Sequence, residues 1–239
     1  MKTSPYKNIK SLSIFLAILL FALGVYLHSI DNFLAYRGLR GFTCFAYLGL
    51  IFFTLRDRIN FHLAVFLLFY GTSSFATIWY ENNMIAILST ILNVISFLLL
   101  IWALLPKVNF RKMNKPFLIG FILVMLVNGY LLYRLIEMIS NMSLSNTHLV
   151  LLAISTMALL FVGFLTLLYN HEYSTKGTVI FLMFVFQIIF AEVFRALAYY
   201  DLAYGNAAVH IARILLLGSM ISLLNYSLAE KTNAEMLNS

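Results

Sequence analysis

The stretch Gly177–Tyr199, GTVIFLMFVFQIIFAEVFRALAY, decides how the rest of the chain is read. It is apolar and long enough to cross a bilayer, which takes roughly 20 helical residues. Inside it stand Glu192 and Arg195. An ionisable side chain at the centre of a membrane helix costs roughly 2.5 to 3.5 kcal/mol on insertion scales. Two of opposite sign three residues apart share a helical face and can pair. Arg134 with Glu137, and His210 with Arg213, repeat that spacing in two other apolar runs. A span that keeps such charges uses them to bind, to catalyse or to lock helices together.

Outward from this stretch the pattern recurs. Eight apolar runs cover about 11–29, 39–55, 61–80, 84–105, 116–139, 147–169, 177–200 and 207–228. None alternates as a barrel strand would, and only helices or closed barrels can span a bilayer. The expected fold is therefore an all-α polytopic membrane protein, a single integral membrane domain over residues 1–239 with a bundle of about eight transmembrane helices. The eight divide into two sets of four. Gly71-Thr72-Ser73-Ser74 in run three and Glu192 in run seven then occupy equivalent positions. Composition agrees: 62% of the 239 residues are apolar and 10% are charged, where soluble domains carry about 25% charged residues. Run one is read as a retained span, because it ends in Tyr26-Leu27-His28 with no small-x-small cleavage site. Cys44 is the single cysteine, so no intramolecular disulfide forms.

The loops set the expected orientation. With the N-terminus in the cytoplasm, the inner segments hold eleven basic residues: Lys2, Lys7, Lys10, Arg56, Arg58, Lys107, Arg111, Lys112, Lys115, Lys176 and Lys231. The outer loops, on this reading, hold Arg37 and Arg40 alone. Such a bias places both termini in the cytoplasm, in a bacterial inner or plasma membrane. The net charge of +7 follows from this sorting, and nucleic acid is not an expected partner.

Depth gives the intramembrane charges a common address. At 1.5 Å per residue, Glu192 lies about 12 Å from the outer end of its run. Arg134 and Glu137 fall in the last turns of run five, and His210 and Arg213 in the first turns of run eight. All these charges lie in the outward half. They are expected to line an outward-opening polar pocket, with Gln187 and Asn128 extending it inward. Arginines clamp phosphate bidentately, so Arg134, Arg195 and Arg213, with Glu137 and His210, are the expected binding residues for a lipid or small anionic ligand. The alternative is that the same charges pair with one another and lock helices. No HxxxH or HExxH spacing occurs, so no metal or other cofactor is expected. Thr72, Ser73 and Ser74 are read as small residues that let helices pack closely.

The layout and one motif resemble the YhhN-like lysoplasmalogenase family. The motif is Ala191-Glu192-Val193-Phe194-Arg195-Ala196-Leu197, where the family has Ser-Asp-x-x-x-Ala-Leu in its seventh span. The last run, ending Ile221-Ser222-Leu223-Leu224-Asn225-Tyr226, stands where the family closes its bundle. The resemblance implies an eight-helix bundle, hydrolysis of the vinyl ether of lysoplasmalogens, and Glu192 as catalytic residue. The family has Gly-Asp in span three and a His in span four, where this chain has Gly71-Thr72 and Asn93, and the Lys-Pro that opens span two is absent. Acid–base hydrolysis needs both a proton donor and a base for water. The expectation is therefore a polar pocket for a lipid, a lysolipid or an anionic small molecule, with weak or no hydrolase activity. The alternatives are an active lysolipid hydrolase using Glu192, and a small-solute transporter, which the absence of proline within the runs disfavours.

Overall fold

The structure is a computed structural model that describes residues 7–55, 60–109, 115–140, 145–200 and 205–237. Among these, eight α-helices follow one another without strands: α1 Lys7–Ser29, α2 Phe33–Leu55, α3 Phe61–Ala76, α4 Asn83–Leu104, α5 Lys115–Ser140, α6 Asn146–Tyr173, α7 Lys176–Tyr199 and α8 Gly205–Leu237. Each apolar run has become a helix long and apolar enough to cross a membrane, with 3-10 turns extending α3 and α4. Boundaries fall where side chains satisfy the exposed backbone. Asn82, Ser145 and Thr175 cap α4, α6 and α7, the last in a reciprocal capping box with Thr178.

The helices pack in sequence, α1 on α2, α2 on α3, α3 on α4, then α4 on α6, α6 on α7 and α7 on α8. Helix α8 returns to α1 and α2 and closes the ring. Helix α5 stands outside it, packed chiefly on α6, with Ile139 its single buried side chain. The interior is aromatic and aliphatic, with Phe66 of α3 meeting Phe184 of α7 edge-on at 5.8 Å. The exterior is apolar too: Phe53 is 85% exposed and Trp102 71%. An apolar surface on this scale suits a lipid solvent and not water.

Contacts between helix ends fix the topology. Glu230 near the C-terminus meets Asn60 and Lys107, and Glu172 meets the backbone of Asn109. At the opposite end His28 meets His210, Tyr80 meets His148 and Tyr199, and Arg37 meets Glu81. Helix α1 therefore begins and α8 finishes at one end of the bundle, as an even number of helices running up and down requires. The far end is where α1, α3 and α7 finish. Of the residues counted in the basic loops, Lys2, Arg56, Arg58, Arg111 and Lys112 lie outside the described residues.

One boundary differs from the sequence reading and matters for function. Helix α2 begins at Phe33, six residues before the expected run, so Arg37 is helical and not in a loop, and Arg40, counted with the outer loop although the run opens at 39, lies two turns inside the helix. Asp31, with φ of 55°, turns the chain out of α1. Asn32 then caps α2, its side chain accepting from the Ala35 amide at 3.2 Å. The cap adds almost two turns to α2 and carries Arg40 into the bundle, where it is 9% exposed.

Candidate functional site

Arg40 reaches the interior because α2 and α3 approach closely. A Cβ at Gly41 would stand 2.7 Å from the Phe75 Cβ and 2.8 Å from that residue's backbone, so only glycine fits. At this crossing Arg40 Nη2 donates to the Tyr70 hydroxyl of α3 at 2.7 Å. It also donates to Oε1 of Glu192, which arrives from α7. The Tyr70 hydroxyl donates to the same Oε1 at 2.5 Å. Oε2 of Glu192 accepts from Arg195 Nη2, one turn further along α7. One carboxylate, 9% exposed, thus sits between two guanidinium groups and a phenol from three helices.

Arg213 of α8 completes the cluster without joining that carboxylate. It is 4% exposed. Its Nη2 donates to the Tyr36 carbonyl of α2 at 2.8 Å, and its guanidinium lies 4.5 Å from the centre of the Tyr36 ring. Among the described residues it has no carboxylate partner, and its Nη1 has no hydrogen-bond partner at all. The Nε atoms of Arg40 and Arg195 share that condition.

These groups line a far-end cavity of about 550 Å³ bordered by α1, α2, α7 and α8, with Leu152 of α6 and Thr77 and Tyr80 from the connection between α3 and α4. Arg40, Arg195 and Arg213 line it, with Glu192 immediately behind. Three arginines against one glutamate leave two positive charges in excess at this wall. Toward the mouth Arg37 is paired with Glu81 at 2.5 Å. Burial raises the Glu81 carboxyl, but the hydrogen bond and charge of Arg37 outweigh it and hold the group below the ordinary value. Asp31 and Tyr200 also face the opening. Burial, with neighbouring Tyr80, pushes the Tyr200 phenol up, so it faces the cavity as a neutral hydroxyl. Across Glu192 from this vestibule, a small cavity of about 60 Å³ is lined by Asn93, Thr90 and Ser155.

The expected pocket residues separate into two places. Glu192, Arg195 and Arg213 converge as expected, although the partner of Glu192 besides Arg195 is Arg40 and not Arg213. His210 does not line the cavity but packs against His28, which does, with ring centroids 5.3 Å apart. Arg134 and Glu137 do not join them. They pair with each other at 2.5 Å, both half-exposed on α5. Arg134 borders a separate apolar groove of about 340 Å³ between α5, α6 and α7, and Asn128 lines the same groove. The cause is the peripheral position of α5, which directs these residues to the outside of the bundle. Gln187 accepts from Ser222 at 3.0 Å and ties α7 to α8. Ser73 and Ser89 exchange hydrogen bonds between α3 and α4, the close-packing role expected of small residues.

Arg40, Tyr70 and Tyr36 were not among the expected site residues. The available signal for Arg40 was its place inside the run 39–55, strengthened by Asp31-Asn32 upstream, because a capping residue marks an earlier helix start than hydropathy does. Tyr70 stands two residues before Thr72, the position where the resemblance looks for a carboxylate, and it is this phenol that touches Glu192. In comparisons with known proteins, no family model, no curated protein and no solved structure matched the chain.

Proposed function

We propose that this is an integral membrane protein, both termini cytoplasmic, whose far-end vestibule opens outward and binds a phosphate-type anion. The observation that carries the reading is the excess of two guanidinium charges at a wall where Arg213 is 4% exposed without a carboxylate partner among the described residues. Buried charges are ordinarily paired, because an isolated one costs several kcal/mol of lost hydration. An anion seated in the vestibule supplies the missing partner, and guanidinium forks match phosphate oxygens. The bound group is a lipid head group or a free anion of the same chemistry.

On this reading the likeness to the YhhN-like lysoplasmalogenases lies in bundle layout, and hydrolysis is weak or absent. Glu192 accepts from Arg40, Tyr70 and Arg195, so it acts as their counter-ion and has no proton to deliver. No second carboxylate faces it among the described residues. Lysoplasmalogen turnover that disappears in Glu192→Gln would restore the hydrolase reading.

Calorimetry on the purified protein in neutral detergent tests the anion site, with dodecyl phosphate, inorganic phosphate and octyl glucoside as titrants. Binding of dodecyl phosphate alone identifies a lipid head group, and comparable binding of inorganic phosphate identifies a free ion. Heat from neither anion, or equal binding of the neutral glucoside, contradicts the proposal.

A further inference from the structure

Helix α5 carries polar groups on the side that faces away from the bundle. Its 26 residues span about 39 Å, and its middle falls between Val127 and Asn128. Tyr130 lies within about 4 Å of that level, and Tyr133 and Arg134 within about 10 Å. In the membrane setting proposed above, hydrocarbon reaches about 15 Å on either side of the bilayer centre. Tyr130 and Tyr133 are 62% and 60% exposed, and neither hydroxyl has a hydrogen-bond partner among the described residues. Arg134 and Glu137 pair with each other, half-exposed. Lipid tails offer a phenol or an ion pair nothing to bond. The exposed middle of α1 is different, because Phe15, Ile18 and Leu19 are hydrocarbon only.

The polar groups of α5 share one stripe. Ile119, Leu123, Leu126, Tyr130, Tyr133 and Glu137 follow at intervals of four, three, four, three and four residues. That is the spacing by which one helix meets another along a seam. The five apolar and aromatic members are 60–69% exposed. A second copy of this chain inserts in the same orientation. A two-fold axis along the membrane normal then sets two α5 helices parallel, each residue level with its counterpart. The stripe is its own complement in that arrangement. A hydroxyl both donates and accepts, so Tyr130 can bond to the partner's Tyr130. Arg134, one turn from its own Glu137, comes within reach of the partner's Glu137, and two ion pairs join into one network. Polar groups of this kind hold helices together in lipid. We propose that α5 is the interface of a parallel homodimer.

Cysteine cross-linking of the full-length chain in membrane vesicles tests this. Cys44 is buried, so a single added cysteine reports its own position. Leu126→Cys and Tyr130→Cys place it on the stripe. Ile18→Cys is the control, at a side chain 62% exposed at the middle of α1. Under mild oxidation the first two should link into dimers of twice 27.3 kDa, and the third should not. Linking at all three positions alike, or at none, would overturn the proposal. A linked product of another mass would reveal a foreign partner and overturn it equally. Adding Tyr130→Phe and Glu137→Gln to Leu126→Cys should slow linking roughly threefold or more, as loss of hydrogen bonds between membrane helices does. Both changes keep the size of the side chain, so the bundle itself is not disturbed. An unchanged rate would show that these polar groups do not hold the pair, against the proposal.

Discussion

At the scale of single residues, the cluster is a shared counter-ion. Glu192 belongs to Arg40 and Arg195 jointly, and Arg213 stands apart on Tyr36. Removing one member of a buried pair leaves an uncompensated charge and typically costs about 3 to 5 kcal/mol. Glu192→Gln should therefore lower the unfolding stability of the purified protein by an amount in that range. A double-mutant cycle with Arg40→Gln should show strong coupling, because each single change removes the same contact. The cycle with Arg213→Gln should be close to additive. Strong coupling to Arg213 and none to Arg40 would mean that the partners are assigned wrongly. The pairing of Glu192 with Arg195 was legible in the sequence, since three-residue spacing on a helix suffices. Arg40 was not, because its partner lies 152 positions away and its place at the start of its run made it read as a loop charge.

At the scale of helices, the site depends on how closely α2 and α3 cross. Gly41 has no space for a side chain beside Phe75. Gly41→Ala should cost about 1 to 3 kcal/mol, as overpacking of a filled interior does, and it should also loosen the Arg40–Tyr70 contact. Gly49, two turns further along the same helix, faces open space, and a Cβ added there would meet nothing within 4 Å. Gly49→Ala should be neutral, or stabilising by up to about 1 kcal/mol through helix propensity. Thermal unfolding of the two variants side by side checks this, and equal losses would refute the close crossing. Helix α5 shows where sequence reasoning stopped. Depth along a run puts Arg134 and Glu137 near the end of α5, but depth does not say which way a helix face points. That direction is set by packing, and α5 packs chiefly on α6.

At the scale of the whole molecule, the eight runs became eight helices, and only their ends moved. The all-α fold was legible because each run has the length a bilayer demands and the polar breaks between them are short. The vestibule was legible in part. Three of its charges were marked by their cost in an apolar run, while its α2 wall was hidden in what read as a loop. Helix α1 begins and α8 finishes at the same end of the bundle, and the proposed orientation puts that end, with the eleven basic residues read from the sequence, on the cytoplasmic side. Reporter fusions at residue 10 and at the C-terminus should both read cytoplasmic, and an external signal from either would contradict the proposed orientation.

The most direct test of the central claim compares two arginines that look alike in the sequence. Arg134 and Arg213 both lie within apolar runs, but Arg213 lines the vestibule and Arg134 is half-exposed on α5. Dodecyl phosphate affinity should be measured for Arg213→Gln and Arg134→Gln, each first shown to be monodisperse with a cooperative thermal transition. The account predicts a loss of roughly tenfold or more for Arg213→Gln, the loss of a charge-assisted contact, and no change for Arg134→Gln. Unchanged affinity in Arg213→Gln, or an equal loss in both variants, would contradict it.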